Sequence, residues 1–311
     1  MDPRLAGVLV AGGQVCTTAR LRAIEIDADA TERLVRSGEL VRLRRGLFAA
    51  GETWRSAKPE ARLALCTRAV LGERRGAAAS HASAAVLHGL PLWGVGLSTV
   101  EVICSSPRRR LRGGVRLHPW PDGVEAEVVD GLRVVSLATA VVQVIAEHGH
   151  IPGLVSLDGA LHAAQVTGAQ VEAAGVALGL RGQAAGRLRR VVAEADPECE
   201  SVGETRTRVL LRDLGLSLRS QVEIFDRRGK IGRVDFLVGE RVVVEFDGLV
   251  KYEGHEGRRA LAAEKAREDR LRAAGYAVVR LVWADLDQPE RSHIDVTIDA
   301  SAVEMPLQDQ T

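Results

Sequence analysis

Three carboxylates stand where a β-core has no use for charge. In "RVDFLVGERVVVEFDG", residues 233–248, Asp235, Glu245 and Asp247 lie inside two apolar runs that meet at a glycine-containing turn. A two-residue turn at Gly239-Glu240 would set Asp235 against Val244 and Glu245 against Val234, on opposite faces of the sheet. A three-residue loop, Gly239-Glu240-Arg241, instead pairs Val238 with Val242, Phe236 with Val244 and Val234 with Phe246 on one wholly apolar face. The other face then carries Leu237 with Val243, Asp235 with Glu245, and Arg233 with Asp247 as an ion pair. A one-residue slip swaps every side chain between faces, so the hydrophobic pattern selects the three-residue loop. Like charges directly opposite are destabilising by about 0.2–1 kcal/mol. A divalent cation between the two carboxylates would offset that, and Mg²⁺ is commonly held by one or two carboxylates with phosphate and water. The alternative is a solvated pair on an open sheet face, with arginines such as Arg233 nearby.

The elements that must position these residues follow a boundary at "EADPECES", which carries Pro197. A helix is expected over "VGETRTRVLLRDLG", strands over "SQVEIFD", "GRVDFLV" and "RVVVEFDG", a charged helix over "EGRRALAAEKAREDRLRAAG", and a last strand over "YAVVRLVW". Upstream, "ATERLVRSGEL" reads as a helix capped by Asp29 or Thr31 and stopped at Gly38. "VRLRRGLFAA" reads as a hairpin turning near Gly46. Helix, helix and basic hairpin is the order of a winged helix. Arg33, Arg36, Arg42, Arg44 and Arg45, against the single Glu39, would give this region a positive potential suited to phosphates; a solvated arginine-rich surface is the alternative. Residues 61–195 read as mixed α/β. Helices there end at Gly89 and Pro91, strands lie in "STVEVICS", "GVRLHPW" and "GLRVVS", and Ser136 caps a helix over "LATAVVQVIAEHG". "SSPRRRLRGG" reads as a basic loop. His81 and His88 share a helix face, and with no carboxylate or cysteine at ligand spacing they are expected to bind no metal. The fold class is therefore α/β and multidomain: a winged helix over 1–60, a middle domain over 61–195, a third domain over 196–290 and a tail over 291–311.

Composition bounds the function classes. The 311 residues carry 42 basic and 41 acidic side chains, a net charge of +1 that excludes an indiscriminate polycation. No apolar run approaches the roughly 18 residues of a membrane span, and no cleavable leader precedes the first helix, so a cytoplasmic protein is expected. The four cysteines form no C-x-x-C pair and read as free thiols. Aromatic residues make up 3% of the chain, too few for stacking along a single strand, which favours duplex DNA.

With Glu204 on a helix, Gln221 on a strand, then Asp235, "VVVEFDG", a charged helix and "AGYAVVRLVW", residues 198–290 resemble the PD-(D/E)XK nuclease superfamily, and within it the small Vsr-like domains. The upstream part is similar to proteins with an AbiEi-type antitoxin N-terminal winged helix, through "LVRSGELVRLRRGLFAA", "ASHASAAVLHGLPLWG" and "GLRVVSLATAVVQVIAEHG". The resemblance implies a restriction-endonuclease-like fold that binds Mg²⁺ (or Mn²⁺) through Asp235 and Glu245. It implies that Glu204 reaches the metal directly or through water, and that Gln221 orients water or phosphate. Double-stranded DNA is the implied partner, with a cognate toxin or a repair or defence factor as a further one.

Two positions qualify the resemblance. Ser201-Val-Gly-Glu204 is also a capping box, in which the glutamate serves only the helix start. The superfamily usually places lysine two residues after the second acid, where this chain has Asp247. Lys251, followed by His255, or Lys265 on the charged helix could supply the missing cation; a solvated lysine is the alternative for each. The leading expectation is an Mg²⁺-dependent endonuclease with a winged-helix reader. A non-catalytic DNA-binding regulator, antitoxin-like, is the second, and a protein-interaction module the third.

Overall fold

The computed structural model describes residues 2–74, 76–248 and 254–288, with the backbone alone for 254–261. The chain is mixed α/β, with three sheets among the described residues. It divides into two units, Met1–Leu157 with Ala164–Glu194, and Asp158–Ala163 with Ala195–Thr311. No described helix is long and apolar enough to cross a membrane, and the four cysteines are free thiols.

The first unit opens with α1 (Pro3–Ala11), β1 (Val15–Thr17), α2 (Thr18–Ala23), α3 (Ala28–Arg36), β2 (Leu40–Arg44), β3 (Leu47–Ala50) and α4 (Gly51–Ser56). Its antiparallel sheet has the order β1-β3-β2. Leu5, Leu9, Leu21, Leu40 and Phe48 pack into one cluster beneath it. The cap of α3 is Asp27, whose carboxylate accepts from the Ala30 N–H at 2.7 Å. Neither Asp29 nor Thr31 holds that position; Thr31 is buried one turn on and donates to the Asp27 carbonyl.

The unit continues through α5 (Pro59–Glu73), β4 (Ala78–Ala79), α6 (His81–Leu87), β5 (Val100–Cys104), β6 (Arg110–Arg112), β7 (Val115–Pro119), β8 (Ala126–Val129) and β9 (Leu132–Val135). These strands form a six-stranded mixed sheet of order β6-β7-β5-β4-β9-β8. The basic run after Cys104 is thus not all loop. Arg110–Arg112 form an exposed edge strand antiparallel to β7, a place where charge blunts an open sheet edge. Next come α7 (Leu137–His148), capped by Ser136, then α8 (His150–His162), α9 (Gly168–Ala177) and α10 (Gly182–Glu194). The end of α8 from Asp158, with Ala163 after it, belongs to the second unit.

The second unit is α11 (Val202–Asp213), β10 (Leu218–Asp226), β11 (Gly229–Val238), β12 (Val242–Phe246), α12 (Gly254–Ala273), β13 (Ala277–Leu281) and α13 (Trp283–Asp287). The sheet order is β10-β11-β12-β13, antiparallel except for the parallel β12–β13 pair that α12 connects. Phe236, Val238, Val242 and Val244 face Leu211 of α11 and Leu286 of α13, whereas Leu237 and Val243 face Leu271 of α12. Helices therefore cover both faces. Beneath α11 lies an ion pair with both side chains buried. Arg208 Nη2 is 2.7 Å from Asp158 Oδ2, which also accepts from the Thr205 hydroxyl, while Oδ1 takes the Asp196 N–H at 2.8 Å.

Candidate active site

The loop between β11 and β12 is the three-residue one. Val238 pairs with Val242, Leu237 with Val243 and Phe236 with Val244, with Gly239 at φ 55° starting the turn. Beyond Phe236 the ladder ends. The Asp235 carboxylate takes over from the main chain, its Oδ2 accepting from the Phe246 N–H at 2.8 Å. On the other side of β11, Gln221 at φ 50° interrupts the run of pairs between Ser220–Phe236 and Val222–Val234. Side-chain parity changes there. Val234 joins Leu237 and Val243 in the cluster under α12 instead of sharing a face with Phe236. Arg233, expected opposite Asp247, makes its ion pair with Glu200.

This break in the ladder places Asp235, Glu245 and Asp247 around one open cleft of about 370 Å³, lined also by Glu264, Arg267 and Arg280. The N-terminus of α11 is fixed against the same strand end. A side chain at Gly203 would meet the Phe246 ring at 2.0 Å, so only glycine allows this approach, and Phe246 in turn meets Trp283 edge-on at 4.8 Å. Glu204, one residue on, is 9% exposed. Its Oε2 accepts from Gln221 Nε2 at 3.0 Å and from the Glu200 N–H at 2.9 Å, and its Oε1 from the Ser201 hydroxyl at 2.7 Å. Ser201 Oγ caps the Glu204 N–H at 3.1 Å. The cap expected from sequence is present, shifted so that the glutamate returns to residue 200, and the same carboxylate is tied to Gln221.

Electrostatics explain how the carboxylates coexist. Burial, with the charges of Glu204 and Glu245 adding to it, pushes Asp235 up to about 6 against the opposing Phe246 N–H and Arg267. Glu245, 8% exposed, lies beside two arginines. Arg267 Nη2 is 2.6 Å from its Oε1, and Arg280, its register partner on β13, stands 3.7 Å from Oε2. Glu264 joins both arginines, and hydrogen bonds from Arg267 first and Arg280 next hold it below the ordinary range. Those to Glu264 and Glu245 hold Arg267 firmly in its charged form. The arginines thus offset part of the repulsion between Asp235 and Glu245, and the raised proton affinity of Asp235 reflects the part they leave.

A divalent cation still fits the donor set. Asp235 and Glu245 offer carboxylate oxygens, the ligands of a hard ion such as Mg²⁺ or Mn²⁺, and an acid raised to about 6 is one whose charge the fold leaves incompletely matched. Lys251 lies outside the described residues, as does the side chain of His255. Lys265 is exposed on α12, about 100° round the helix from Glu264. Arg267 and Arg280, the cations the structure does bring to the cleft, were not singled out from sequence. Reading "VVVEF" beside "AVVRL" as parallel partners aligns Glu245 with Arg280, and Glu264 to Arg267 is a helical i,i+3 pair.

Of the arginines expected to meet phosphate, Arg33, Arg36, Arg42 and Arg45 are exposed and Arg44 is half-buried. Arg42 pairs with Glu32 and lies over the Phe48 ring at 5.0 Å. Arg44 donates to the Arg112 carbonyl at 3.3 Å, which joins the β2–β3 turn to the exposed arginines of β6. Compared with models of known families and with curated proteins, the chain matches none.

Proposed function

We propose that this protein acts on duplex DNA and that its second unit hydrolyses phosphodiester bonds with Mg²⁺ or Mn²⁺, as a restriction-endonuclease-like, Vsr-like domain. The observation that carries this reading is the convergence of Asp235 and Glu245 on one cleft, where the β11–β12 ladder has given way to a side-chain contact. When bound, the cation polarises the scissile phosphate and lowers the pKa of the attacking water. Asp235 and Glu245 would hold it. Glu204 keeps Gln221 in place and adds negative potential behind Asp235. Arg267, which lines the same cleft, would face the charge that develops on phosphate, the task of the lysine that Asp247 replaces. We read the N-terminal helices and hairpin as a winged helix whose phosphate contacts are Arg33, Arg36 and Arg45, continued by Arg110 and Arg112 of β6.

A second reading, a DNA-binding regulator that keeps a nuclease fold without cutting, is favoured by one observation: Arg267 and Arg280 already neutralise Glu245. Plasmid nicking separates the two. The wild type is expected to nick in Mg²⁺ and not in EDTA, with Asp235→Ala and Glu245→Ala each at least about a hundredfold slower. Equal activity in all three proteins would reject this site, and duplex binding by a wild type that never nicks selects the regulator. Binding itself should weaken steeply with salt. Replacing Arg33, Arg36 and Arg45 together by alanine should flatten the log–log slope by roughly one for each phosphate no longer neutralised; an unchanged slope removes these arginines from the interface.

A further inference from the structure

The first unit gathers a second set of side chains with chemistry of their own. Glu101 on β5 is 3% exposed and His118 on β7 is 8% exposed, on strands whose parallel pairing sets Glu101 beside Arg116 and Ile103 beside His118. Nε2 of His118 is buried and makes no hydrogen bond; it stands 3.4 Å from Oε1 of Glu101. His81, the first residue of α6, stacks on His118 with ring centroids 3.9 Å apart and planes 18° apart. Its main-chain N–H donates to Gln143 Oε1 at 2.7 Å, its Nδ1 lies 3.0 Å from the Ser80 hydroxyl, and its Nε2 is 3.6 Å from Oε2 of Glu147. One nitrogen or oxygen from each of His81, Glu101 and His118 lies within 4.8 Å of the others. Both histidines line an open cleft of about 690 Å³ walled by Ile103, Pro119, Leu178 and Leu180.

An imidazole nitrogen buried beside a carboxylate without a well-aligned hydrogen bond costs free energy that an apolar side chain in the same layer would not. Here that nitrogen points at a buried carboxylate and a second imidazole, at the floor of a cleft large enough to admit a small ligand. We propose that His81, Glu101 and His118 form a binding site for a divalent transition metal of the zinc class, with a further coordination position open to the cleft. Two imidazoles and one carboxylate, leaving a position for water or a ligand, is a common donor set of zinc sites with chemical roles. The mixed nitrogen and oxygen set also selects against Mg²⁺, which prefers oxygen alone. Arg116 Nη1, 3.0 Å from Glu101 Oε1 and 3.3 Å from Glu147 Oε1, holds the two carboxylates in place.

The stacking determines what must move. Parallel rings aim their lone pairs side by side, so a shared metal requires one ring to turn about its Cβ–Cγ bond. His81 borders the cleft and is the ring that turns, with Glu147 within reach as an additional oxygen donor. This site is built wholly from the first unit and is independent of the carboxylate cleft of the second.

The test uses the full-length protein stripped with EDTA and titrated in excess Mg²⁺, with Zn²⁺ followed by calorimetry and Co²⁺ by its visible d–d absorption. The wild type is expected to bind one equivalent through this site. His81→Ala and His118→Ala should each weaken binding at least about tenfold, while Asp235→Ala leaves it unchanged. His118 is buried, so His81→Gln, which keeps the bulk at the cleft wall, decides the matter if His118→Ala fails to fold by circular dichroism. Absence of uptake by the wild type, undiminished affinity in both His81 variants, or loss confined to Asp235→Ala overturns the proposal.

Discussion

Asp158→Ala is expected to lower the stability of the second unit by about 3–5 kcal/mol, the effect of removing one partner from a buried ion pair. The side chains of Arg208 and Asp158 are 0% and 1% exposed, and Asp158 holds three donors at once: Arg208, the Thr205 hydroxyl and the Asp196 N–H. Alanine leaves the guanidinium charge in the interior and removes the acceptor that ties residues 196 and 205 together. Burial nevertheless pushes the Asp158 carboxyl up in spite of the arginine beside it, so desolvation consumes much of the attraction. The double variant Asp158→Leu with Arg208→Met should therefore recover most of the loss. Urea unfolding followed by circular dichroism measures both proteins. A midpoint unmoved in Asp158→Ala, or a double variant no better than the single one, contradicts this account.

That pair also marks a boundary of what sequence pattern can convey. Nothing in "LDGALH" or "TRTRVLL" shows that an aspartate at 158 meets an arginine at 208, because neither residue breaks the period of its own helix. The β11–β12 register was legible, since Val238, Phe236, Val242 and Val244 must share a face and only a three-residue loop allows it. Legibility stopped at Asp235. The change of parity depends on Gln221 adopting φ 50° on the neighbouring strand, a conformation that residue type marks for glycine or asparagine far more than for glutamine. Strict alternation therefore put Val234 on the wrong face and gave Arg233 the wrong partner. The same limit hid Arg267 and the His81, Glu101 and His118 group. Each depends on which strands and helices become neighbours, and local periodicity carries no record of that.

Asp235→Asn is expected to stabilise the fold at pH 7 and to abolish metal-dependent chemistry, two effects of opposite sign at one residue. An ordinary aspartic acid loses its proton near 3.8, and here the folded protein holds it until about 6. Between those values the folded state binds more protons than the unfolded one, so stability falls as pH rises through roughly 4 to 6 and stays low above that window. At 1.36 kcal/mol per pH unit the interval bounds the cost at about 3 kcal/mol, and solvent screening at a half-buried carboxyl reduces it to about 1–2 kcal/mol. Asparagine keeps an oxygen for the Phe246 N–H and carries no charge toward Glu204 or Glu245. Its advantage should appear above pH 6 and vanish below pH 4. Mg²⁺ reverses the order, because a ligand at a hundred times its Kd stabilises by about 2.7 kcal/mol and binds only a protein that retains the carboxylate. Thermal unfolding at pH 4 and pH 7, with and without Mg²⁺, reads all four states beside a nicking assay in which the variant is at least about a hundredfold slower. A variant less stable than wild type at pH 7, or shifted equally by Mg²⁺, would mean that Asp235 serves the fold through its contact with Phe246. A residue held for its charge should instead destabilise the fold until the cation arrives.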